Sequence, residues 1–219
     1  MPTETDQKIA LTYAPAKVRA AFTTLLALDA RLAQIVMQTR EVTLGKIKLQ
    51  WWHDQLLATN SSTQTADPFL ADVVEAFHHH DVTFETVARL THGWECLLEP
   101  MPLDDVLLTQ YACERGARLF EIAAQIVGED ASEALRAAGA GWALADFAFK
   151  CSDQTTAHRA LSLAHAHFRT KPQRKLSRDL RPFALLAQFS GIDVQSGINK
   201  VRSDSPRQRA FEALKFSIF

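Results

Sequence analysis

The chain has 219 residues, of which 47% are hydrophobic and 22% are charged, so it can bury a core, and disorder is excluded for most of its length. Eight glycines are about half the usual share, and a mostly β protein, which needs glycine at many turns, is therefore disfavoured. No stretch between charges is long enough to span a bilayer, the first residues do not resemble a targeting signal, and three widely spaced cysteines indicate a reducing compartment. We therefore expect a cytoplasmic protein.

The spacing of apolar residues by three and four predicts consecutive helices joined by short polar loops. The first carries the stripe Phe22, Leu25, Leu28 and Leu32. The predicted helices cover residues 15–36, 43–57, 68–79, 83–98, 104–127, 130–151, 156–168, 183–189 and 205–215. Nothing alternates as strands do, so we predict one all-α domain over residues 1–219.

Several residues predict where these helices begin and end. Thr43 is an N-cap candidate for the second helix, and Asp67 followed by Pro68 is a stronger signal for the third. Gly128 is predicted to end the fifth helix. Asp130 and Glu133 resemble a capping box at the start of the sixth.

Side-chain spacing also predicts which helix faces pack together. The run of small residues over 137–141 allows a neighbouring helix to approach closely. In the second helix, Leu44, Ile47 and Trp51 share one face, which favours Trp51 in the core. Leu49, Trp52 and Leu56 share another face at the same spacing of three and four. Both indoles are therefore buried if this helix is central.

Charge is unevenly distributed along the chain. Residues up to 158 contain 12 Lys and Arg against 21 Asp and Glu, whereas the remainder contains 12 against 4. The basic residues concentrate in a predicted loop over residues 169–181, which has no interleaved aromatic residues of the kind that stack on nucleic-acid bases. Either the acidic and basic helices pack together, or Lys171, Arg174 and Lys175 contact an anionic partner or membrane surface.

The usual motifs of enzyme chemistry are missing from the sequence. There is no GxSxG and no phosphate-binding glycine loop, and the adjacent His78, His79 and His80 diverge too widely to share one metal ion. Prenyl-diphosphate chemistry would need Mg²⁺ held by carboxylates on facing helices, and Asp146 and Asp153 are too far apart in sequence to hold one ion together.

Two early segments nevertheless resemble the squalene/phytoene synthase family. These are the stretch from Tyr13 through Arg19 to Leu28, and the Leu-x-Trp-Trp-x-x-x-Leu pattern over residues 49–56. The segments starting at Tyr111 and Gly139 follow in the order that the family has. The resemblance covers the chain to about residue 168 and implies an isoprenoid-synthase-like helical bundle.

The chain departs from that family where the enzymes carry acidic motifs. The first Asp-rich motif falls on Ala33, Gln34 and Met37, none of which binds Mg²⁺ as a carboxylate does. In the second motif region, Ala145 lies where the family has a glutamine. Only Asp153 lies near an expected carboxylate, and Thr156 falls near the position four residues on that would pair with it. The chain also lacks the arginine-rich segment that follows, so we expect it to be truncated relative to the active enzymes.

The runs over residues 27–35 and 43–52 are similar to the non-catalytic, complex I assembly factor-like branch of this family. That resemblance implies a degenerate member without catalytic residues or cofactor, which assists respiratory complex I assembly by binding a protein partner. No nucleic acid is expected.

Two alternatives remain open. The first is a Mg²⁺-dependent head-to-head prenyltransferase of terpenoid biosynthesis. The second is a module for a partner or for an isoprenoid or other lipid ligand, located in the cytoplasm or peripherally on the membrane. A lipid-binding cavity in that module would be lined by Leu25, Leu28, Trp142, Phe147 and Phe149.

Overall fold

The computed structural model describes residues 2–58, 67–169, 177–197, 208–210 and 213–214, and all regular structure in them is helical. The all-α prediction is therefore confirmed. The α-helices are α1 Pro2–Thr12, α2 Ala16–Gln38, α3 Val42–Ala58, α4 Pro68–Phe77, α5 Phe84–Ala88, α6 Leu90–Glu95, α7 Asp105–Tyr111, α8 Arg118–Ile126, α9 Glu133–Ala148, α10 Gln154–Arg169 and α11 Arg181–Ser196. Short 3₁₀ turns cover Cys96–Leu98 and Arg178–Leu180, and a π-helical segment covers Ala112–Ala117.

Two of the predicted helix boundaries are confirmed and two are wrong. The carboxylate of Asp67 accepts the backbone N–H groups of Phe69 and Leu70 at 2.8 and 3.2 Å, and Gly128, at φ +74°, follows the end of α8. However, α3 begins at Val42, before Thr43. The cap of α9 is Ser132, whose hydroxyl accepts the N–H of Leu135, and not Asp130.

Two regions that were predicted as single helices are interrupted. Residues 83–98 divide into α5, α6 and a 3₁₀ turn, and residues 104–127 contain the π-helical segment between α7 and α8. At Gly93 the backbone of α6 lies against this segment so closely that a Cβ there would be 2.6 Å from the backbone nitrogen of Arg115. Helix α1 was not predicted at all, because its sequence is polar and has no clear apolar stripe.

Helix α9 lies at the centre of the bundle, with every residue from Gly139 to Ala148 buried. Gly139 lies against Gly116 of the π-helical segment, and a Cβ on either residue would overlap the carbonyl oxygen of the other. The close approach predicted from the small residues of α9 is therefore confirmed.

Helix α2 is long and apolar enough, by length and composition alone, to cross a membrane. Eight of its residues are buried, and their apolar members belong to one hydrophobic core that extends from Ala10 to Ala213. Packing in the bundle therefore uses the apolar residues of one face of this helix.

The prediction that favoured Trp51 in the core is wrong. Trp52 is buried with Leu49 and Leu56, whereas Trp51 is 44% exposed. Gly45 lies on the same buried side, where a Cβ would be 2.8 Å from the Leu98 side chain. The opposite face, with Leu44, Ile47 and Trp51, points outward.

The far end of the chain is attached to the bundle by a buried arginine. Arg209 lies 2.7 and 2.6 Å from the two carboxylate oxygens of Asp193 on α11, and 3.2 Å from Asp6 on α1. This contact pairs one base of the basic C-terminal third with an N-terminal acid. The basic residues Lys171, Arg174 and Lys175 lie outside the described residues.

Candidate functional site

Charged side chains from three separate helical segments meet in the middle of the bundle. Arg115, on the π-helical segment, donates from Nε and Nη2 to the two carboxylate oxygens of Asp29 on α2, at 2.9 and 2.8 Å. Its Nη1 donates to Asp146 on α9 at 3.0 Å and to the hydroxyl of Tyr111. All four side chains are buried. We call Asp29, Arg115 and Asp146 the central triad.

Aromatic rings enclose the guanidinium of Arg115. Its central carbon lies 4.2 Å from the centroid of Trp94 and 4.7 Å from that of Trp142. The indole N–H of Trp94 also donates to Asp29 at 2.9 Å. Cations over aromatic faces are stabilised electrostatically, and more strongly when they are desolvated. The rings therefore favour the same charged form of Arg115 that the carboxylates require.

The positive and negative charges around the central triad nearly cancel. Burial alone would lower the pKa of Arg115, but Asp29, Tyr111 and Asp146 outweigh it, so the pKa is raised well above the ordinary value. Lys150, which is partly exposed, pairs with the other oxygen of Asp146 at 2.6 Å. Burial raises the pKa of Tyr111 above its ordinary value, so this phenol stays protonated. Two cations thus balance two carboxylates.

A metal ion would have to compete with these cations. Each oxygen of both carboxylates already accepts from an arginine, a lysine or an indole, whereas Mg²⁺ needs oxygen ligands in near-octahedral geometry. Within the described ranges, no group of three His, Cys, Asp or Glu side chains is placed to hold a metal. The geometry of the triad suits internal charge pairing better than metal binding.

The positions aligned with the first acidic motif lie on α2, one and two turns beyond Asp29. Ala33 is half-buried, Gln34 is exposed and Met37 is 71% exposed. In α9, Ala145 is buried beside Asp146 in sequence.

The remaining carboxylate of the second motif region has a structural role at the start of α10. Asp153 accepts the backbone N–H and the hydroxyl of Thr156 at 2.7 and 2.6 Å. These hydrogen bonds lower the pKa of Asp153, that from the hydroxyl contributing most. Asp153 therefore acts as a helix cap here.

The residues proposed to line a lipid cavity lie within or beside the core. Trp142 covers Arg115, and Phe147 packs against Tyr111 with ring centroids 5.6 Å apart. Leu25 and Leu28 are fully buried on α2, and Phe149 is half-buried.

A second concave feature lies between α3, α5 and α6. Its volume is about 430 Å³, and it is lined by His53, Leu57, Glu85, Arg89 and His92. The imidazoles of His53 and His92 stack with centroids 4.9 Å apart. Burial, followed by the charge of His53, lowers the pKa of His92.

Sequence reasoning missed Asp29, Trp94 and Arg115. A signal was present, because Asp29 interrupts the apolar face formed by Leu25, Leu28 and Leu32, and Arg115 lies between buried positions of its own segment. Opposite charges on two apolar helix faces are costly unless they meet.

Comparison with known proteins identifies a family and a similar fold. The squalene/phytoene synthase family model matches residues 4–148. The crystal structure of a dehydrosqualene synthase in complex with ligand has a similar fold, with a TM-score of 0.66 and 11% sequence identity over 97% of this chain and 92% of that chain. The expected truncation relative to the active enzymes stays a prediction. No curated protein sequence is significantly similar.

Proposed function

The chain belongs to the squalene/phytoene synthase family, and we propose that it is a non-catalytic member that acts by binding another protein. The observation that carries this proposal is the charge pairing at the central triad, where Arg115 and the adjacent Lys150 already neutralise both buried carboxylates. An active prenyltransferase needs carboxylates that are free to hold Mg²⁺ against a diphosphate. The replacement of the first acidic motif by Ala33, Gln34 and Met37 supports the same conclusion.

We further propose respiratory complex I assembly as the process in which the partner takes part. This step rests on the sequence resemblance of residues 27–35 and 43–52 to the complex I assembly factor-like branch. It predicts that complex I subunits copurify with the tagged chain from its native cell. It also predicts that deletion of the gene lowers the amount of assembled complex I, which is measured on native gels.

The competing function is prenyl transfer, and metal dependence separates the two. We expect isothermal titration calorimetry to show no Mg²⁺-dependent binding of farnesyl or geranylgeranyl diphosphate, because among the described residues no group of acidic side chains is placed to receive the metal. We also expect no release of diphosphate. A metal-dependent isotherm or turnover of either substrate contradicts the non-catalytic proposal.

A further inference from the structure

Helix α3 presents large apolar side chains to solvent. Of the large hydrophobic residues that are exposed in the described part of the chain, six of nine lie between Met37 and Leu57. Leu44, Ile47 and Trp51 form a continuous stripe there, with 43%, 60% and 44% of their surfaces exposed. Exposed apolar side chains scattered singly are ordinary, whereas a cluster marks an interaction surface. We call these three residues the α3 stripe.

The fold places the α3 stripe outward for reasons that are independent of it. Gly45 contacts Leu98, and Leu49, Trp52 and Leu56 fill the core, so the inner face of the helix is already complete. The stripe has the spacing i, i+3, i+7, which makes a ridge about 10 Å long on an α-helix. A ridge of this kind packs into the groove beside another helix.

The charges beside the stripe discriminate between occupants. The exposed charged residues from position 40 to the end of α3 are Arg40, Glu41, Lys48 and Asp54, two of each sign. Lys46, which is half-exposed, pairs with Glu99 at 2.7 Å. An anionic membrane attracts a surplus of bases, which this border lacks. An apolar centre containing tryptophan within a polar rim of mixed sign is instead the anatomy of a protein interface.

We propose that the α3 stripe is the docking surface for an apolar helix of a partner protein whose contacting face has no net charge. The inference rests on the proposed partner-binding function and names the surface that carries it. Ile47 and Trp51 are the anchors, since Ile47 is the most exposed residue of the stripe and tryptophan is among the residue types most enriched at binding hot spots. Arg40, Glu41, Lys48 and Asp54 form the rim.

The test is site-specific photo-crosslinking with the full-length chain in its native cell. Benzoylphenylalanine replaces Ile47 or Trp51, and Val106, which is 73% exposed on α7, is the matched control position. We expect adducts from positions 47 and 51 that map to a single apolar helix of one protein, and none to that helix from position 106. With that protein purified, Ile47→Glu and Trp51→Glu weaken binding by at least tenfold, whereas Val106→Glu leaves it unchanged.

Three results would overturn the inference. The first is adducts from positions 47 and 51 to the same chain, with a dimer in light scattering that Ile47→Glu dissociates, which identifies a second copy as the occupant. The second is binding to vesicles of phosphatidylcholine and phosphatidylglycerol that Ile47→Glu abolishes, which identifies a membrane. The third is the same partner peptides from all three positions, or adducts from none. Circular dichroism and the urea midpoint confirm that each variant is folded.

The same experiments separate this inference from the proposed function. Turnover of farnesyl diphosphate by wild type, together with specific adducts from positions 47 and 51, contradicts the non-catalytic proposal and leaves the docking surface standing. A chain without turnover that gives no specific adducts overturns the docking surface alone.

Discussion

Arg115 is the residue on which the centre of the bundle depends, because it is the one cation in contact with both Asp29 and Asp146 among the described residues. Removing one partner from a buried ion pair leaves a charge without compensation in a medium that solvates it poorly. The contribution of Arg115 is therefore best measured against a surface arginine that has similar hydrogen-bond geometry. Arg89 provides one, since it contacts Glu114 through two nitrogens at 3.1 and 2.6 Å while it is partly exposed.

We predict that Arg115→Met lowers the free energy of unfolding by about 3–5 kcal/mol. Arg89→Met should lower it by less than about 1 kcal/mol, because solvent screens an exposed pair. Adding Asp29→Asn and Asp146→Asn to Arg115→Met should recover part of the loss, since no buried charge then lacks a partner. Urea denaturation measures all three. Equal losses for the two arginine variants would show that the triad is not the main electrostatic support of the core.

At the scale of the helical elements, two contacts show how neighbouring helices pack against each other. The first is the crossing of α9 with the π-helical segment at Gly139 and Gly116, where backbone meets backbone. The second is the contact of α3 with α6 through the stacked rings of His53 and His92. Each contact gives a prediction with a control in the same fold.

We predict that Gly139→Ala destabilises the protein by about 1–3 kcal/mol or more, because the added methyl group forces the two segments apart. Gly191→Ala on α11 is the control. A Cβ there lies 3.7 Å from Phe168, which is ordinary contact, and alanine is a better helix former than glycine. Gly191→Ala should leave the thermal midpoint unchanged or raise it. A neutral Gly139→Ala would mean that α9 lies further from its neighbour than the structure places it.

The His53–His92 contact predicts a loss of stability in mild acid. Burial, then the charge of His53, lowers the pKa of His92, whereas an imidazole in the unfolded chain titrates near 6.5. As the pH falls below about 6.5 the unfolded state takes up a proton that the folded state resists, so the free energy of unfolding decreases. We predict that His92→Gln flattens this slope and that His79→Gln, at an exposed position, does not. Urea denaturation from pH 7.5 to pH 5 measures the slope. Identical slopes in wild type and His92→Gln would contradict the prediction.

At the scale of the whole molecule, charge separates the chain into an acidic first part and a basic last third. Arg209 shows one way in which this asymmetry is used, since it is buried between Asp193 and the N-terminal Asp6. The segment 169–181 holds six of the twelve bases in that last third, and the role of Lys171, Arg174 and Lys175 stays a prediction.

We predict that the combined change Lys171→Ser, Arg174→Ser and Lys175→Ser leaves the free energy of unfolding unchanged. The sequence predicts these bases in a solvated loop, where charges contribute little to stability. Each base near an anionic surface contributes on the order of 1 kcal/mol to binding, with screening by salt. The variant should therefore bind anionic vesicles or the native partner more weakly, most clearly at low salt. Co-sedimentation over a salt series measures the effect. If the variant unfolds, these bases are paired with the acidic helices instead.

The sequence by itself determined the helical class, the family and several of the residues that begin or end helices. Asp67 and Gly128 were interpreted correctly because capping and left-handed backbone depend on residues adjacent in sequence. The small residues around Gly139 were interpreted correctly because small side chains permit a close approach, although only the fold shows that Gly116 is the neighbour. The tertiary structure alone decided which face of α3 is buried, because two apolar faces satisfy the same spacing and only the surrounding helices, which pack on Gly45, Leu49, Trp52 and Leu56, select one. It alone also brought together the central triad, since Asp29 and Arg115 are 86 positions apart and Arg115 and Asp146 are 31 apart. Helical periodicity reports one element at a time, whereas a buried charge is stabilised by partners on other elements.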